Sequence, residues 1–149
     1  MLSVIKFFHV LCGITFFGIT IASFFYIARS INKQERPLID YSITASYVGD
    51  AMILLCILVQ MITSPHLVSA GHFNLNVPWI FIAYLAFYLL IVLWISMVVI
   101  KKYYLSKIII SHNAIKAFYF LNIAMILIFI IIIHDAVTHS TGLEFLFKE

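Results

Sequence analysis

Charge is what this chain of 149 residues has least of: Asp, Glu, Lys and Arg together make 10%, against about 25% in an ordinary soluble domain. Glycine occurs five times, proline three times and cysteine twice. Each shortage excludes something. So few charges cannot cover the surface of a soluble domain, and the nine Lys and Arg residues stand at the ends of apolar runs rather than in a basic patch. That distribution argues against nucleic-acid binding. Cys12 and Cys56 form no CxxC spacing, so no disulfide framework or zinc signature is expected. They read as small apolar core residues, with an inter-helix disulfide or a thiolate ligand as the alternative. There is no phosphate loop, nucleophile–base pair or paired carboxylate to suggest a hydrolase or an ATPase. No internal repeat suggests a transporter. Whether the chain is an enzyme stays open.

What is abundant is apolar. Hydrophobic residues make 64% of the chain, and its mean hydropathy is +1.13. A segment of about 20 apolar residues crosses the hydrocarbon as a helix, and backbone groups in lipid must be satisfied within their own segment. Four segments qualify, at about Leu2–Arg29, Tyr41–Met61, Val77–Tyr103 and Ser111–Val137. The expectation is all-α: one transmembrane domain over residues 1–149, folded as a four-helix bundle. Lys6 ahead of an apolar run resembles a signal peptide. The run continues to Ala28, however, past the about 7–15 residues of such a region, and reads as a retained span. Pro37 is expected to close a polar hinge over Ser30–Asp40, and Pro65 and Gly71 to mark the second loop. Pro78 suits the first turn of the third helix.

Arg29, Lys33, Arg36, Lys101, Lys102, Lys107 and Lys116 gather at the face of the first and third loops, against Lys6 and Lys148 at the other. By the positive-inside rule the first group is cytoplasmic, so both termini and the second loop are expected to be extracytoplasmic, in a bacterial inner (cytoplasmic) membrane. The Gly142–Phe147 stretch of the tail reads as an interfacial anchor.

Polar residues within the spans need partners or roles. In the first helix His9, Gly13, Phe16, Thr20 and Ser23 share one face, and in the second so do Ser46, Asp50, Ile53, Ile57 and Gln60. Both faces are expected to look into the bundle. Asp50, near mid-membrane, is expected to be protonated or hydrogen-bonded to another helix. In the third helix Trp79 lies at the outer mouth, with Tyr84 and Tyr88 below it and Trp94 deeper. In the fourth, counting back from His134 through Ile131, Leu127, Ala124, Phe120 and Ala117 to Asn113 traces the expected bundle-facing stripe.

Five of six histidines fall toward one membrane face: His9, His66, His72, His134 and His139, with His112 at the other. Imidazole is the commonest metal ligand, and a bundle can hold haem between two axial histidines. His9 and His134 are the best pair for haem b, with Gln60, Tyr84 and Trp79 as further cofactor-binding candidates. Copper, on His66, His72, His134 and His139 with Met61 as a soft ligand, is the alternative. A hydrogen-bonding role for each of these histidines is the plain structural reading.

The segment Ile5-Lys6-Phe7-Phe8-His9-Val10, followed by Gly18, Asp50, Gln60, Pro78-Trp79 and Trp94, resembles a bacterial family of integral membrane proteins of unknown function, over roughly residues 5–100. The Lys-x-x-His opening is more distantly similar to the CopD copper-resistance type and the HemJ type of protoporphyrinogen oxidase. The Arg-containing motif of the latter is missing. The resemblance implies a small membrane protein in which His9 matters, in haem or copper biology, and assigns no reaction. Three functions follow: a haem protein for electron transfer or haem handling, a copper-handling or respiratory-oxidase assembly protein, and a cofactor-free accessory subunit. The lipid bilayer is the first partner, and a second copy or a larger respiratory or haem-handling complex the next.

Overall fold

The computed structural model describes residues 2–71, 77–107 and 109–138. Four helices run through them: α1 (Leu2–Lys33), α2 (Arg36–Ala70), α3 (Pro78–Ile100) and α4 (His112–Thr138). No strand occurs among the described residues. α3 continues into a π turn, Lys101–Leu105. Each helix is long and apolar enough to cross a membrane. Side chains such as Leu55, Ile62, Leu85 and Phe120 are more than half exposed, which suits a protein whose solvent is lipid.

Two helical hairpins, α1–α2 and α3–α4, build the bundle, and α1 meets α4 to join them. α2 reaches the second hairpin at the π turn. Phe129 of α4 stands edge-on to Phe16 with ring centroids 4.8 Å apart and leans on Phe17 at 5.3 Å. One end down, Phe24 meets Phe118 and Tyr119. Lipid tails are as apolar as these rings, so the seam gains from close packing rather than from removal of water.

Both loop expectations need correction. α1 runs on to Lys33 and α2 starts at Arg36, so the polar hinge shrinks to a turn at Gln34 and Glu35, with Gln34 at φ 57°. Pro37 opens α2 rather than closing a loop, because the first helical turn needs no N–H there. α2 also passes Pro65 and ends at Ala70, which puts His66 on a helix. Pro65 leaves the Met61 carbonyl without its helical donor. The Thr63 and Ser64 hydroxyls donate to the carbonyls of Val59 and Gln60 beside that gap, at 2.8 and 2.7 Å. Such side-chain bonds let a membrane helix carry proline.

The inward stripes of the first two helices are as expected: Phe16 and Thr20 of α1, and Ser46, Asp50, Ile53, Ile57 and Gln60 of α2, are all buried. The α4 stripe is not. Ile131, Leu127 and Phe120 are exposed, and the buried face carries Ala114, Phe118, Asn122, Met125, Phe129 and Asp135. His134, at the helix end, can reach the surface from any face. Asn122 cannot, and it lies inward with its Nδ2 donating to Phe118 O at 2.8 Å. The mid-span amide, not the terminal imidazole, sets the rotation of α4.

Arg36 holds the far end of the bundle together. Its Nε and Nη2 donate to Asp40, and its Nη atoms donate to the carbonyls of Leu105, Ser106 and Lys107. These carbonyls end the π turn and have no helical donors, so a guanidinium fork is well shaped for them.

Gly49 sets the approach of α1 to α2. A Cβ there would stand 2.7 Å from Ile19 Cγ2, whereas one on Gly18 would meet nothing within 4 Å. Gly18→Ala is expected to gain about 0.5–1 kcal/mol from helix propensity. Gly49→Ala gains the same but adds an overpacking cost of about 1–3 kcal/mol. Thermal unfolding in mild detergent should therefore show Gly49→Ala less stable than the parent and Gly18→Ala at least as stable.

Candidate functional site: a pocket at the His9 end and a buried ion pair

The polar face of α2 meets two groups that come from other helices. At the deeper position, Lys101 Nζ lies 2.5 Å from Asp50 Oδ2 and donates to Ser46 Oγ at 3.2 Å. Trp94 Nε1 donates to Asp50 Oδ1 at 3.3 Å. Lys101 is 2% exposed. The second alternative expected for Asp50, a bond to another helix, is the one found, and its partner had been counted as a cytoplasmic loop cation. The apolar run around residue 101 was the available signal, since it continues to Tyr103 and so places Lys101 inside a span. The π turn begins at this lysine, with Ser106 N donating to Lys101 O at 3.2 Å. It leaves Lys101 and Leu105 both inward and Lys102, Tyr103 and Tyr104 outward. π turns often occur where a helix must aim a particular side chain.

Toward the other end, His9 and Gln60 join α1 to α2. Gln60 Nε2 donates to His9 O at 2.7 Å. A Cβ on Gly13 would lie 3.4 Å from the same nitrogen, so Gly13 gives the amide its room. His9 Nδ1 lies 2.9 Å from Thr63 Oγ1. The Thr63 hydroxyl has one proton, and its oxygen also lies 2.8 Å from the Val59 carbonyl. With the Thr63 proton on Val59 O, the His9 ring donates from Nδ1 and the neutral imidazole keeps its lone pair on Nε2. Gln60 is 8% exposed, and no donor among the described residues bonds its Oε1. Thr63 is the partner that reading from the sequence missed, although it lies three residues beyond Gln60 and extends the same stripe.

His9 and Gln60 border a pocket of about 420 Å³, within the range of ordinary ligand sites, about 300–1,000 Å³. Lys6 and His9 of α1, Gln60 of α2, Trp79 and Tyr84 of α3 and Ile132 of α4 all line it. Four of the five cofactor-binding candidates are thus brought together. The fifth, His134, is not among the lining residues. Its side chain is 51% exposed, and its Nδ1 lies 3.2 Å from Oδ1 of the buried Asp135. His66 is exposed and outside the pocket. His72 and His139 lie outside the described residues, as does the Gly142–Phe147 stretch. Among the described residues no three of His, Cys, Asp and Glu converge as a metal site. Cys12 and Cys56 are free thiols.

The chain matches no family model, no curated protein and no solved structure. The chemistry of the site therefore rests on its geometry.

Breaking a buried ion pair from one side leaves a charge without a counter-ion, at a cost of about 3–5 kcal/mol, whereas replacing both partners by apolar groups is often neutral. Lys101→Met is expected to lower the unfolding midpoint in detergent sharply. Adding Asp50→Leu to Lys101→Met should restore most of the loss. Single and double variants of equal stability would show the pair to be energetically idle.

Proposed function

We propose that this is a multi-pass protein of the bacterial inner membrane that binds a small lipophilic ligand in the pocket at its extracytoplasmic end. The His9–Thr63 hydrogen bond carries the reading. It directs Nδ1 toward α2 and leaves the Nε2 lone pair for a ligand, on a residue that lines the pocket. A helix clamp needs only one ring nitrogen, and here the second is left over. The orientation rests on Arg29, Lys33, Arg36, Lys102, Lys107 and Lys116 at the far end, with only Lys6 among the described residues near the pocket.

A second reading keeps haem b, for electron transfer or haem handling. A neutral imidazole whose other nitrogen is tied to a hydrogen-bond acceptor is the usual form of a metal-binding histidine. In this reading His9 is the one axial ligand from the chain, and Lys6 at the mouth offers a charge partner for propionates. The His9/His134 pair is set aside because His134 does not line the pocket. The copper reading has no supporting convergence among the described residues.

The test is native mass spectrometry of protein released from mild detergent, with a visible spectrum of the same sample. The parent is expected to release a small molecule that Ala83→Trp, which fills the pocket wall, retains at less than about a tenth of the level at unchanged helicity. A Soret band kept in His134→Ala and lost in His9→Ala would select haem. Parent protein that carries no small molecule, and takes none up from added lipid extract, overturns the reading.

A further inference from the structure

Resting on that pocket as a ligand site, we infer that its ligand is a lipid-borne hydroquinone, an aromatic diol with a long apolar tail, which donates its hydroxyl protons to His9 Nε2 and Gln60 Oε1. Both atoms are acceptors. His9 Nε2 is one in the tautomer that donates from Nδ1 to Thr63 Oγ1 while Thr63 donates to Val59 O. Gln60 Oε1 is the other, an amide oxygen fixed by the bond of its nitrogen to His9 O and bonded by no donor among the described residues. Gln60 is more than nine-tenths buried, and a buried acceptor left without a donor costs about 1–3 kcal/mol. A ligand that brings donors removes that cost.

The remaining walls narrow the class. Among the described residues no carboxylate lines the pocket, so an ammonium head group would find no counter-ion from them. A phosphate suits Lys6 at the mouth but leaves the two inner acceptors unpaired. A neutral diol satisfies both. Opposite His9, α3 presents Trp79, Tyr84 and Phe87, which suit the face or edge of a flat ring. α2 meets the second hairpin at the π turn and at Trp94, away from the pocket, and α2 and α3 supply most of the pocket lining, with α1 and α4 completing it.

The test uses the full chain in phosphatidylcholine nanodiscs, titrated anaerobically with decylubiquinol, with its dimethyl ether and with haemin, and followed by tryptophan fluorescence and visible absorption. The ether keeps ring and tail but has no hydroxyl to donate. Saturable binding of the diol at least tenfold tighter than the ether is expected. His9→Leu and Gln60→Leu should each cut that preference to below about threefold. Equal affinity for diol and ether in the parent protein overturns the proposal without relying on any variant. Haemin uptake with a Soret shift lost in His9→Leu, with the diol unbound, overturns the hydroquinone but leaves the pocket a ligand site. No saturable binding of any of the three overturns both.

Discussion

Helices in lipid gain nothing by hiding apolar surface from water, so what holds them in one arrangement is close packing and the few polar bonds between them. In this bundle the strongest of those bonds is the buried ion pair of Asp50 and Lys101, which ties α2 to the end of α3. Its position explains much of what surrounds it. Ser46 and Trp94 turn their polar atoms to it, the π turn keeps Lys101 facing inward, and Arg36 ties down the carbonyls that the turn leaves over. All of this lies at one end. Toward the other end lies the pocket, where the described ties are those of His9 and Gln60 between α1 and α2.

The two ends are thus held differently. Charge pairing within the span fixes the register of the two hairpins, because a lysine and an aspartate buried that deeply have few alternative partners. The pocket end is built from single hydrogen bonds between α1 and α2. His9 and Gln60 each spend one polar group on the scaffold, and both line the pocket. Thr63 has a double duty: it supports the helix beside Pro65 and sets which nitrogen of His9 carries the proton.

Much of this was legible before the fold was known. Stretches of apolar residues gave the four spans, and the four-and-three spacing of polar and small residues gave the inward faces of α1 and α2. His9, Gln60, Trp79 and Tyr84 were singled out because polar or amphipathic side chains near a span end need a reason to be there. The same rule, applied evenly, would have found Lys101 and Asn122, which also fall inside spans. It went astray on α4, where the stripe was counted from His134. A residue at a helix end can snorkel to the surface and so carries little information about which face is buried.

The sequence by itself determined the spans, their number and the faces of the first hairpin, because in a bilayer length and periodicity leave the backbone little choice. Which side chains meet was decided only by the tertiary structure. Asp50 and Lys101 are 51 residues apart and His9 and Thr63 are 54 apart, on different helices in each case. No local pattern encodes a pairing at that separation. It comes from the rotation and tilt of each helix against its neighbours, which packing such as Phe16 on Phe129 and Gly49 against Ile19 sets.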